Sequence, residues 1–201
     1  DSDGPQFTDW YPGGELNAAY NVLDRHAARE NGARNHAAII WEGELGTTRT
    51  YTFHDLHREA NQVANYLESV GVDTGDTVGL YMPMVPEVAS ILYGCLKVGA
   101  IAVPIFSGFG VDATATRIAD SECSVLFTGD GFYRGGEPIF LKPTADDAIA
   151  EAGHVEHCVV YDRLGGSESD SGVFVEWNDD RDVWWHQSVG TADDTYEPKS
   201  L

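Results

Sequence analysis

Apolar residues in the middle of this chain fall into three short, nearly continuous runs: Val78–Tyr81, Ala100–Phe106 and Ser124–Thr128. Two stretches of helical character separate them. Val85–Val98 is apolar almost all round and opens with Pro86, a residue that suits a helix's first turn. Ala113–Ser121 is shorter, and Asp112 stands where a carboxylate complements a helix N-terminus. Strand, helix, strand, helix, strand predicts an α/β fold, a layered sheet with right-handed βαβ crossovers. The apolar runs lack strict alternation because such a sheet is covered on both faces.

The flanks extend this pattern. Leu16–Glu30 predicts a first helix with Leu16, Tyr20, Leu23 and Ala27 on one face, after a turn-rich N-terminal strap (1–16). Ala37–Trp41 and Thr48–Phe53 predict a hairpin around the turn Glu42–Thr47. Thr52 and Asp55 are spaced as a capping box for a helix reaching Val70. Its buried stripe is Leu56, Ala60, Val63, Ala64 and Leu67, and Gly71 takes the C′ position. Beyond Gly136 come Pro138–Leu141, a helix at Ala145–Ala152 and a strand at Cys158–Asp162. The Gly165–Gly172 loop follows, then a short helix starting at Arg181–Trp185 and capped by Asp179 or Asp180. The division predicted is 1–36 strap and first helix, 37–189 α/β subdomain, and 190–201 linker toward a remainder of the chain.

Charge narrows the function classes. The 201 residues carry 33 acidic against 12 basic side chains, a net −21. That field repels nucleic acid and anionic membranes alike. The charge is spread over a normally hydrophobic sequence, which points away from disorder and toward adaptation to concentrated salt. Cys95, Cys123 and Cys158 are widely spaced in apolar runs and form no CxxC, as expected of buried free thiols in a reducing, cytoplasmic setting.

Candidate chemistry sits at the strand ends, because ligands of open α/β sheets collect outside the carboxyl ends of the strands. Two glycine-rich, irregular stretches fall there: Phe106–Gly110 after the second run and Gly129–Gly136 after the third. The second carries Arg134, one of only nine arginines. Surface loops with a solvated arginine fit the same spacing, since neither GxGxxG nor a Walker sequence is present. His54-x-x-His57 and His154-x-x-His157 have one-turn spacing, but neither is part of HExxH, and GxSxG is absent.

Several stretches together resemble the AMP-forming acetyl- and propionyl-CoA synthetases of the acyl-adenylate-forming superfamily. They are Trp10-Tyr-Pro-Gly-Gly-Glu-Leu-Asn17, Asn21-Val-Leu-Asp-Arg-His26, Ile40-Trp-Glu-Gly43, Tyr81-Met-Pro-Met-Val-Pro-Glu87, Phe106-Ser-Gly-Phe109, Arg117-Ile-Ala-Asp-Ser121 and Arg181-Asp-Val-Trp-Trp185. The resemblance implies the N-terminal subdomain of that synthetase fold. It also implies an acyl-CoA ligase using ATP, Mg2+ and CoA as co-substrates, with acetate or propionate as the acid. In that family the loops matching Phe106–Phe109 and Arg134–Glu137 line the CoA nucleotide site. The resemblance therefore assigns CoA contacts to Phe106, Ser107, Gly108, Arg134, Gly135, Gly136 and Glu137. Glu137 stands where the family has a second basic residue, and Ser107 replaces a glycine. No catalytic residue and no metal ligand is assigned within these residues. The family's phosphate loop, acyl pocket and catalytic lysine lie further along, so the fragment alone is expected to be inactive. A non-catalytic binding module with the same fold, or an adenylating enzyme with another acid or acceptor, fits the same residues.

Overall fold

The computed structural model describes Gly4 and residues 11–168, 172, 173 and 175–201. Trp10, most of the N-terminal strap and part of the Gly165–Gly172 loop lie outside the described residues. Five parallel strands form the central sheet: β3 (Thr77–Tyr81), β4 (Ile101–Pro104), β5 (Val125–Gly129), β8 (His157–Tyr161) and β9 (Asp182–Trp184). Their order is β4-β3-β5-β8-β9. The chain winds outward from β3 to β4, then crosses back to β5 and continues the other way. That is doubly wound topology, with its switch point between β3 and β5.

Helices cover both faces. α2 (Phe53–Ser69) and α3 (Glu87–Val98) bury Val63, Leu67 and Ile91 against Val78, Leu80, Val125, Phe127 and Val159. On the other face α4 (Val111–Ser121) and α5 (Lys142–Ala152) bury Ile118, Ala145 and Ile149 against Leu126, Cys158 and Val160. Successive residues of β5 and β8 thus serve opposite layers, as the two-residue strand period requires. Gly94 allows α2 and α3 to approach: a Cβ there would stand 2.4 Å from Val63 Cγ1. α2 starts as its sequence predicts, with Thr52 Oγ1 accepting from Asp55 N at 3.1 Å and Asp55 Oδ2 from Thr52 N at 3.0 Å. The predicted hairpin forms from β1 (Ala37–Glu42) and β2 (Thr48–Thr52).

Three expectations are corrected. Arg181–Trp185 does not start a helix, because β9 joins the sheet edge through the pairs Cys158↔Asp182 and Val160↔Trp184. Trp184 then packs with the α4/α5 layer and Trp185 with the α2/α3 layer. Trp185 opens the 3₁₀ turn Trp185–Gln187 that follows the strand. The stretch Gly129–Gly136 is not irregular, because β6 (Gly131–Arg134) and β7 (Glu137–Phe140) form a hairpin. The first helix is a π-helical turn, Tyr20–Asp24, running into α1 (Arg25–Ala27). Ala19, Leu23 and Ala27 are buried, whereas Tyr20 and Leu16, which precedes the helical residues, are exposed.

Residues 190–201 are aperiodic beyond a short 3₁₀ turn, and they lie along α2. Asn65 Nδ2 donates to Asp193 O and Thr195 O at 2.8 and 2.9 Å, and Lys199 N to Lys97 O at 2.9 Å. Cys95, Cys123 and Cys158 are buried and free.

Candidate functional site

Outside the carboxyl ends of the strands lies a cleft of about 340 Å³. Five segments wall it: Trp41–Glu44 from the β1–β2 turn, Pro83–Val85 after β3, Phe106–Gly108 after β4, Phe132–Arg134 on β6, and Arg163 after β8. It sits at the switch point, where the chain's reversal of direction leaves adjacent connections on opposite faces and a gap between them.

The Phe106 loop is fixed from within. Phe106 and Phe109 meet edge to face at 5.5 Å, and Arg117 stacks over Phe109 at 4.2 Å. Tyr81 Oη donates to Phe109 O at 2.9 Å. A Cβ at Gly108 would come within 2.5 Å of the Phe106 ring. Phe106 itself remains 63% exposed, an apolar ring lining the cleft.

The hairpin bearing Arg134 turns through Gly135 and Gly136, at φ +63° and +85°. Two consecutive positive φ values define the tight turn that fits strand twist, and glycine supplies them. Arg134 and Glu137 pair across this turn. Gly135 N donates to Glu44 Oε1 at 2.8 Å, tying the hairpin tip to the β1–β2 turn. At the hairpin's root Gly131 has no room for a side chain, since a Cβ would lie 2.3 Å from Ile139 O.

Asp130, buried at the end of β5, organises what lies behind the cleft. Its Oδ1 accepts from Gly131 N (2.8 Å) and Arg163 N (2.8 Å), its Oδ2 from Leu164 N (2.9 Å) and Gly166 N (3.0 Å). One carboxylate therefore closes the β8 loop against the root of the hairpin. Trp41, whose Nε1 donates to Met84 O at 2.8 Å, has two guanidiniums over its ring, Arg49 at 4.9 Å and Arg163 at 5.3 Å. Arg49 is neutralised by a bidentate pair with buried Glu87 at 2.6 and 2.9 Å. Behind Glu87, burial pushes the Glu59 carboxyl up to about 7, with Ser90 Oγ hydrogen-bonded to it.

Of the residues singled out by sequence, the structure gathers Phe106, Ser107, Gly108 and Arg134 into this cleft. Gly135, Gly136 and Glu137 form the hairpin turn and are not among its lining residues. Trp41, Tyr133, Arg163 and Asp130 were not singled out. The rule that points to Arg134 applies equally to Arg163, which follows the strand Cys158–Asp162 in an arginine-poor chain. The histidine pairs are engaged in the fold. His57 Nε2 lies 3.2 Å from Asp24, and His154 bonds Ala152 O and Ile118 O. Buried Lys142 holds Asp146 and Asp182 at 2.7 Å, binding α5 to β9. No group of three or more potential metal ligands occurs among the described residues, and no helix among them is long and apolar enough to cross a membrane.

A doubly wound sheet with a cleft outside its strands' carboxyl ends at the switch point places that cleft where open α/β proteins bind ligands. Residues 24–198 match the family "AMP-binding enzyme", and the chain belongs to it. It is 42% identical over its whole length to the acetyl-coenzyme A synthetase of Streptomyces coelicolor, covering 30% of that protein. It is 43% identical over 96% of its length to the corresponding protein of Deinococcus radiodurans, covering 28% of it. The chain thus spans about 30% of the length of the relatives it matches. The crystal structure of a Brucella canis acyl-CoA synthetase superimposes with a TM-score of 0.73 at 22% identity, over 94% of this chain and 30% of that one. This last likeness concerns the fold.

Proposed function

We propose that this chain is the N-terminal part of an AMP-forming acyl-CoA ligase acting on acetate or propionate. The complete protein would join the acid to ATP with Mg2+, releasing pyrophosphate, and pass the acyl group from AMP to the thiol of CoA. Residues 1–36 and 37–189 would supply scaffold, with 190–201 leading toward the remainder; three free buried thiols agree with a cytoplasmic protein. The ATP, Mg2+ and acid sites would lie in the part of the protein not represented here. Phe106, Ser107, Gly108 and Arg134 would receive the nucleotide portion of CoA, with Gly135, Gly136 and Glu137 shaping the hairpin tip.

The observation that carries this reading is one cleft that unites the Phe106 loop with Arg134 at the sheet's switch point. Arg134 is exposed and has no ion-pair partner among the described residues, so its guanidinium is free to meet a phosphate. A charge-assisted hydrogen bond of that kind is worth about 1.5–3 kcal/mol, roughly ten- to hundredfold in affinity. In the full-length protein Arg134→Ala should raise KM for CoA by at least several-fold while ATP–pyrophosphate exchange, which needs no CoA, continues. Glu137→Arg, directly across the hairpin, should lower KM for CoA. An unchanged KM for CoA in Arg134→Ala would overturn the reading.

A further inference from the structure

Resting on that reading, we infer that Arg163 is a second anion-binding residue of the cleft, gripping a phosphate of the CoA nucleotide together with Arg134. The inference begins with how differently the arginines of this acidic chain are used. Arg49, Arg58 and Arg181 each pair with a carboxylate at 2.6 Å. Arg163 has no carboxylate partner among the described residues, although the protein carries 33 acidic side chains.

Its guanidinium is nevertheless held in place. It lies over Trp41 at 5.3 Å and beside the Tyr133 ring at 5.9 Å, and its main-chain N–H is fixed to Asp130 at 2.8 Å. A Cβ at position 43 would stand 3.0 Å from Arg163 Nη2, so Gly43 leaves the group room. A planar cation clamped by aromatic faces keeps its edge donors available, and those donors match phosphate oxygens in pairs. Trp41 shows the contrast. Of the two guanidiniums at Trp41, that of Arg49 is neutralised by Glu87, whereas that of Arg163, which lines the cleft, is not.

Two carboxylates, Glu42 and Glu44, also line the cleft. Glu44 is engaged with Gly135 N at 2.8 Å. At molar salt the longer-range repulsion from both is screened within roughly 3 Å, whereas a direct bidentate contact is not. A second guanidinium also supplies the positive charge that Glu137 does not.

The test uses the full-length enzyme, with KM for CoA, for dephospho-CoA and for ATP measured on Arg163→Ala, Arg163→Gln and Arg163→Lys beside Arg134→Ala. Arg163→Ala and Arg163→Gln should raise KM for CoA about five- to fiftyfold, with KM for ATP moving less than twofold. Lysine should restore only part, because an ammonium neither stacks as a plane nor donates two parallel bonds. A penalty that vanishes with dephospho-CoA assigns the contact to the 3′-phosphate, and one that persists assigns it to the diphosphate. A KM for CoA within twofold of wild type in Arg163→Gln overturns the inference. If Arg134→Ala still raises KM in that case, the proposed function stands. If neither arginine matters, both fall. Failure of both the Ala and Gln variants to fold would assign Arg163 to packing and overturn the inference as well.

Discussion

Asp130→Asn tests whether one buried carboxylate holds the cleft's rear wall. Asp130 offers two oxygens to backbone donors, Oδ1 to Gly131 and Arg163 and Oδ2 to Leu164 and Gly166. Asparagine keeps one carbonyl oxygen and replaces the other with an NH2 group. Leu164 N lies within reach of both oxygens, 3.1 Å from Oδ1 and 2.9 Å from Oδ2. An amide with its NH2 on the Oδ2 side therefore leaves one backbone N–H, that of Gly166, facing a donor, whereas the other orientation strips both Gly131 and Arg163. Hydrogen bonds to a charged acceptor are worth about 1.5–3 kcal/mol each, a gross loss of about 1.5–3 kcal/mol in the first orientation. Burying a neutral amide costs less than burying a carboxylate, and burial already pushes the Asp130 carboxyl up, which leaves a net loss of about 1–2 kcal/mol. For a chain of this size, each kcal/mol shifts Tm by about 2–4 °C, so the melt should fall by roughly 2–8 °C. Asp162→Asn is the internal control. It lies on the same loop and accepts from Gly165 N at 2.9 Å and from the exposed Ser167 Oγ, but it is only half-buried, so its loss should be about 1 kcal/mol or less. In the complete enzyme Asp130→Asn should also raise KM for CoA, because the NH2 group loosens the loop after β8 that carries Arg163. A melt equal to or above that of wild type would refute the reasoning, since an orphaned donor has a cost.

Glu59 predicts a pH dependence. Its folded-state value of about 7 lies above the model-peptide 4.5, so the fold favours the protonated acid. Its contribution is fully present below pH 4.5 and is lost as pH rises toward 7, after which it is constant. Glu59→Gln should therefore melt higher than wild type at pH 8, by the equivalent of roughly 1–2 kcal/mol after discounting its partial exposure, with no such gain at pH 4.5. Equal melting differences at both pH values would contradict the assignment. The −21 charge predicts a Tm that rises from 0.1 M toward molar KCl as the screening length shrinks from about 10 Å to roughly 3 Å; a flat profile would remove the salt explanation of the composition.

What the sequence by itself determined was local. The Thr52–Asp55 box, the Leu56–Leu67 stripe and Gly71 delimit α2 because the hydrogen bonds and the helical period that form it lie within a few residues of each other. Two of the apolar runs likewise announce strands buried on both faces, β3 and β5, whereas the other forms the edge strand β4, whose Ile101 and Pro104 are exposed; Arg134 was legible as a strand-end arginine. The hairpin was within reach, because Gly135-Gly136 between Phe132-Tyr133 and Ile139-Phe140 is a two-residue turn signal. Other features were decided only by tertiary structure. Asp179 and Asp180 mark a plausible helix start before Arg181, yet pairing with β8 and the Lys142 and Arg181 contacts to buried Asp182 draw that segment into the sheet. The π-turn at Tyr20–Asp24 is not visible in the apolar spacing, of whose residues Leu23 and Ala27 are buried and Leu16 and Tyr20 exposed. Trp41 and Arg163 meet because the β1–β2 hairpin, a sheet of its own, packs beside the loop after β8. Periodicity along a chain records which face of an element is buried, whereas the partner on that face depends on packing between elements distant in sequence.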